Sequence, residues 1–204
     1  MKKHKEEVRK LKAPFELKFS VFVFLALSIL LCILFWFHKL SVEFFAYSFL
    51  TILLVISFST DLKICIIPDE TNLVGAVVGA LYVIYKLIKY PKMGVDLLLG
   101  GVIALLIFLA IGGITYLILK KEGMGGGDIK LVFVIGLFLG LKNFVQVFIV
   151  SFFVAAVVSV FLLISRIKNR KDYIPFGPFL CIGTYVTMLF PALKTALYLV
   201  KLML

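Results

Sequence analysis

Gly125-Gly126-Gly127-Asp128-Ile129-Lys130-Leu131-Val132-Phe133-Val134-Ile135-Gly136-Leu137-Phe138-Leu139-Gly140-Leu141 decides how this chain is threaded. From Ile129 to Leu141 only Lys130 is charged. At ~1.5 Å per residue the run reaches only about 20 Å, short of the ~30 Å hydrocarbon core, so it is either a sunken helix or a re-entrant one. Around it lie six longer apolar runs, at roughly 18–37, 42–60, 72–90, 96–119, 143–165 and 174–190, each near the ~20 residues a helix needs to cross a bilayer. With 63% hydrophobic residues, 21 phenylalanines and a mean hydropathy of +1.15, the 204-residue chain is too apolar to give a soluble domain a polar exterior. The expected fold is all-α, a polytopic transmembrane bundle embedded in a lipid bilayer. No internal repeat or linker divides it, so residues 18–204 read as one transmembrane domain behind a basic tail, 1–17. The segment 192–204 continues the last helix beyond Pro191 or lies in the interface.

The formal charge of +11 falls between the apolar runs. No stripe of basic and aromatic residues accompanies it, so it reports topology and no nucleic-acid partner is expected. Lys and Arg favour the cytoplasmic side of short loops. With the basic N-terminus inside, the chain leaves near His38-Lys39, returns at Asp61, leaves near Tyr90-Pro91-Lys92 and returns at Lys120-Lys121. The cluster Arg166 to Lys171 is then inside only if 129–141 crosses, which gives about seven crossings, one of them short. Asp61 and Asp128 are separated by one out-and-back hairpin and so emerge at the same, cytoplasmic, face of an inner or plasma membrane. The first run is long and lacks a small-residue cleavage site, which marks a retained anchor. Cys32, Cys65 and Cys181 are far apart and form no Cys-x-x-Cys, so they read as free thiols without a zinc site.

Asp61 and Asp128 each end or begin an apolar run, and a carboxylate costs several kcal/mol in or near hydrocarbon, which makes both candidate functional groups. Two carboxyls within a few ångströms do not both ionise easily and share a proton. One then acts as a base towards water attacking a peptide carbonyl, while the other polarises that carbonyl and later serves as an acid towards the leaving amine. Such chemistry needs no metal and no cofactor. The rival peptidase patterns, His-Glu-x-x-His and Gly-x-Ser-x-Gly, are absent.

Gly125 and Gly127 let the backbone beside Asp128 approach a substrate closely, although a glycine run is also the ordinary material of a flexible helix connection. A phosphate cradle is excluded, because neither Ser nor Thr follows Lys130. Pro68 and Asp69 read as a helix start, with the acidic residue complementing the macrodipole. Pro175, Gly177 and Pro178 open the last long run and taken alone read as a bent helix start.

Taken together, Asp61 with Ile67-Pro68-Asp69, then Gly125-Gly126-Gly127-Asp128-Ile129-Lys130-Leu131, then Ile174-Pro175-Phe176-Gly177-Pro178-Phe179 resemble the type IV prepilin peptidase family. These are Gly-x-Gly-Asp membrane aspartyl proteases that remove short basic leaders from prepilins at the cytoplasmic face. The resemblance implies that Asp61 and Asp128 are the catalytic pair, that Gly125 and Gly127 shape the second site, and that the substrates are prepilin-like membrane proteins of a pilus or secretion system. Lys130 and the Pro175, Gly177 and Pro178 segment look like family features. Many members carry a cytoplasmic region with paired Cys-x-x-Cys motifs, associated with N-methylation of the new terminus, after the first helix. Nothing like it lies between Phe37 and Val42, so the expectation is a compact peptidase without methyltransferase activity.

Two other classes stay open at this point. A proton-coupled transporter also places carboxylates among helices, but near the midplane and commonly within inverted repeats. A scaffold of a pilus or secretion assembly predicts that Asp61→Asn is tolerated.

Overall fold

The computed structural model describes residues 21–120, 124–165 and 174–189. The basic tail 1–17, the cluster Arg166 to Lys171, Lys121 and the segment 192–204 lie outside the described residues. All regular structure among the described residues is helical: α1 (Val21–His38), α2 (Val42–Ile64), α3 (Asp69–Lys89), α4 (Pro91–Leu119), α5 (Gly126–Ile164) and α6 (Gly177–Leu189). Five of these, α1 to α5, are long and apolar enough to cross a membrane, and α6 is a shorter apolar helix. Their outer surfaces are apolar as well. Trp36, Ile88, Leu117 and Ile164 are each at least three-quarters exposed, which suits contact with lipid and no aqueous surface.

Local chemistry explains the helix limits. The Ser41 hydroxyl caps α2 by accepting from the Phe44 N–H at 3.1 Å. The start of α3 carries Asp69 and Glu70 and its last turn Lys86 and Lys89, both matched to the helix dipole. Pro91 sits in the first turn of α4, where its missing N–H costs nothing.

Side-chain contacts fix the directions of the helices. Lys86 of α3 pairs with Glu43 at the start of α2, so α2 and α3 are antiparallel and Asp61 and Asp69 share the other end. On α4, Gly100 lies backbone to backbone against Gly136, and Gly112 faces Ile129, so the first half of α5 runs antiparallel to α4. At Gly140 (φ 77, ψ 171) the helix breaks. The second half then returns along α4, because Phe144 and Phe148 meet Phe108 edge-on at 6.3 and 5.9 Å and Phe152 meets Phe176 at 5.0 Å. Finally α6 leads away from the aspartate end, since the Tyr185 hydroxyl donates to Leu30 O at 2.6 Å and His38 meets Met188 O at 3.0 Å.

The first half of α5 is the run quoted at the outset, and it is packed inside the bundle. Leu131, Val132, Val134, Ile135, Leu137, Phe138 and Leu139 are all buried, as an all-round apolar helix requires. Phe138 is stacked between Phe49 and Tyr82 at 6.3 and 5.8 Å, tying α2, α3 and α5 into one core. The sequence suggested two helices, 129–141 and 143–165. Two helical halves do form, and the break between them falls on Gly140: its positive φ suits a residue without Cβ, and any side chain there would meet the Asp96 carboxylate.

Candidate active site

Asp61 occupies the last full turn of α2. The turn ends at Cys65 in the left-handed conformation (φ 54), whose N–H donates to Asp61 O at 2.9 Å. From there Ile66, Ile67 and Pro68 form a corner that α3 follows at once. Asp128 is in the first turn of α5, behind the extended residue Gly125, and its N–H donates to Gly125 O at 3.1 Å.

Both carboxyl groups are almost fully buried, Asp61 at 4% and Asp128 at 5% exposure. They line one cavity of about 580 Å³ with Ile67, Pro68, Asp69, Glu70, Gly125, Gly127 and Lys130. Oδ2 of Asp61 and Oδ1 of Asp128 accept no hydrogen bond from the described residues. Buried polar atoms are normally paired, and an orphaned one at a cavity wall is a place where water, a proton or substrate binds. The arrangement holds two carboxyls on the wall of one partly polar cavity, each with an oxygen that accepts no hydrogen bond from the described residues.

The backbone supports both groups. Gly125 presents its N–H towards Asp128, and Gly177 does the same for Asp61. Gly177 approaches so closely that a Cβ there would overlap Asp61 Oδ2. It is delivered by the aromatic cluster of Phe108, Phe152 and Phe176, with Phe108 and Phe176 6.3 Å apart, and by the first turn of α6, where the N–H groups of Phe179 and Leu180 donate to Phe176 O.

Of the remaining residues singled out in the sequence, Pro68 precedes α3 and lines the cavity without a side-chain cap bond. Asp69 begins α3, and its carboxylate accepts from Lys130 Nζ at 2.7 Å. That ion pair joins the two halves of the rim, though both partners are more than half exposed and it contributes about 0–1 kcal/mol. Pro175 and Pro178 flank Phe176 and Gly177 and do not line the cavity. Glu70 and Asn72 were missed in the sequence, and Ile67 was quoted there only as part of a motif. Glu70 lines the cavity, Ile67 packs on Gly127, where an added Cβ would lie 3.0 Å from Ile67 Cβ, and Asn72 donates to Gly127 O at 3.3 Å. The one available signal for Asn72 was its place three residues after Asp69, on the same helix face. Among the described residues no group of three or more His, Cys, Asp or Glu is arranged to hold a metal ion.

Comparison with known proteins bears on this site. The sequence pattern of the type IV leader peptidase family matches residues 47–160, a stretch that holds both Asp61 and Asp128. The prepilin leader peptidase/N-methyltransferase of Aeromonas salmonicida (strain A449) is 31% identical over 150 residues, 74% of this chain and 50% of the relative. Its counterpart in Xanthomonas campestris pv. campestris is 30% identical over 137 residues, 67% of this chain and 47% of the relative. The Legionella pneumophila protein of the same description is 30% identical over 128 residues, 63% of this chain and 44% of the relative. The chain thus spans about half the length of the curated relatives it matches. No solved structure matches it.

Proposed function

Because the chain belongs to the type IV leader peptidase family, we propose that it is a membrane-embedded aspartyl endopeptidase. In this reading it removes short basic leaders from type IV prepilin-like membrane precursors at the cytoplasmic face. The observation that carries the proposal is the pair of nearly buried carboxyls, each with an oxygen unpartnered among the described residues, on one cavity wall at one end of the bundle. In the singly protonated pair, the ionised carboxylate takes a proton from water as its oxygen attacks the scissile carbonyl. The protonated partner polarises that carbonyl, and collapse of the tetrahedral adduct sends a proton to the leaving amine. Asp69 and Glu70 extend the acidic wall, which suits a basic leader.

The same reading gives seven crossings, with the two halves of α5 counted separately, and places the N-terminus, the aspartates and the Arg166 to Lys171 cluster inside. Residues 18–204 then form one peptidase domain. Only Lys39, Leu40 and Ser41 separate α1 from α2, which leaves no room there for a cofactor-binding insertion, so the processed terminus keeps a free amine.

The test is to incubate the purified chain in lipid vesicles with a pilin-like precursor and read the product by mass spectrometry. A precursor shortened by its leader, with an unmethylated new terminus, is the expected result. Folded protein that leaves every such precursor intact overturns the peptidase assignment, and a methyl group added by this chain overturns the second part.

A further inference from the structure

We infer that Asn72 is a positioning residue for the aspartate pair, holding the Gly125 to Asp128 turn against the corner between α2 and α3; this rests on Asp61 and Asp128 being the catalytic pair. Asn72 lies at the start of α3, and its own N–H is tied to Pro68 O at 3.4 Å, so its backbone moves with the corner that follows Asp61. The residue is 4% exposed. Its Nδ2 donates to Gly127 O at 3.3 Å, and that carbonyl belongs to the peptide group whose nitrogen is the backbone N of Asp128. The carbonyl fixes the orientation of the amide, because rotating it would set oxygen against oxygen.

Two other contacts join the same segments. Ile67 packs on Gly127 without directional preference, and the Asp69 and Lys130 pair is exposed and weak. Asn72 therefore supplies the buried, directional tie between the corner bearing Asp61 and the turn bearing Asp128.

Its energetics separate positioning from simple stabilisation. The amide gains one long hydrogen bond, while Oδ1 is buried with no hydrogen-bond partner among the described residues. A buried acceptor left unmade offsets what one donor bond contributes, so the side chain adds little to the stability of the fold. An apolar residue of similar size removes both the bond and the orphaned oxygen. Stability then holds or rises, while Asp128 loses its anchor.

The experiment compares Asn72→Leu, Asn72→Ala and Asp128→Asn in vesicles, with cleavage of the same pilin-like precursor as the readout. Asn72→Leu is expected to lower kcat about 10–100-fold, the cost of a small misplacement of reacting groups. KM stays within about threefold and the melting temperature in detergent is unchanged or higher. The pH window of kcat narrows, because carboxyls held less closely titrate more nearly independently. Asn72→Ala gives the same kcat loss and decides the matter if the leucine variant does not fold. An unaltered pH window, with kcat within twofold of the parent or with a loss that tracks a fall in melting temperature, overturns the inference. Retained activity in Asp128→Asn overturns the catalytic pair and the inference with it. An inactive Asp128→Asn beside fully active Asn72 variants overturns the positioning role alone.

Discussion

Gly177 and Gly126 are the same residue type in opposite surroundings. A Cβ at Gly177 would overlap the Asp61 carboxylate, whereas one at Gly126 would meet nothing within 4 Å. Gly177→Ala is therefore expected to lower cleavage about 100-fold by displacing Asp61, while Gly126→Ala stays within about twofold. Equal rates for the two variants, measured on protein of equal abundance in the membrane, contradict the packing of α6 against Asp61. Asp69→Asn removes an exposed ion pair with Lys130, so thermal unfolding should shift by no more than about 1 kcal/mol and cleavage should persist. The two buried aspartates stood out in the sequence because a carboxylate beside lipid-like runs is rare and costly. Asn72 did not, because a polar residue within an apolar helix ordinarily bonds its own backbone, as Thr51 and Thr184 do here. The partner of Lys130 was equally hidden, since Asp69 lies 61 residues away and only the packing of α3 on α5 brings them together.

Helix by helix, the apolar runs marked out α1 to α4 and α6, because a bilayer demands about 20 apolar residues per crossing and caps mark the ends. That the chain breaks between the runs 129–141 and 143–165 was legible, but not that the break falls on Gly140. Gly136 and Gly140 are equally glycine in the sequence, and the positive φ at Gly140, with the Asp96 carboxylate where a side chain would lie, marks it as the point of reversal. Gly140→Ala is expected to cost at least about 1–3 kcal/mol through its positive φ, read as a lower unfolding temperature in detergent. An unchanged temperature contradicts a break at this residue. At the far end of α2 and α3, Lys86 is almost wholly buried between the rings of Tyr82 and Tyr90, 5.4 and 5.3 Å from its amine, while Glu43 is one-third exposed. Glu43→Gln strands a buried cation and should cost about 3 kcal/mol, more than Lys86→Met, which leaves Glu43 able to turn to water. The reverse order in unfolding measurements contradicts the burial asymmetry.

At the scale of the whole molecule, the corner between α2 and α3 and the start of α5 line one cavity, and the start of α6 packs against Asp61 at the same face. With Cys32, Cys65 and Cys181 replaced, Glu122→Cys and Asn169→Cys should label from the cytoplasmic side and stay silent to an impermeant reagent added outside. Strong outside labelling at either position contradicts the proposed seven crossings. Convergence was legible in part, since counting crossings between Asp61 and Asp128 puts both on one side, but the distance across that face depends on packing that no run of residues encodes. The most direct test of the central claim is the rate of precursor cleavage by Asp61→Asn, Asp128→Asn and the double variant, each inserted at wild-type level. Asn matches Asp in shape but does not exchange a proton at neutral pH. Groups acting as a unit are non-additive, so both single variants should lose cleavage and the double variant should be scarcely worse than either. Near wild-type cleavage by either single variant, or losses that multiply in the double, would contradict a shared catalytic pair.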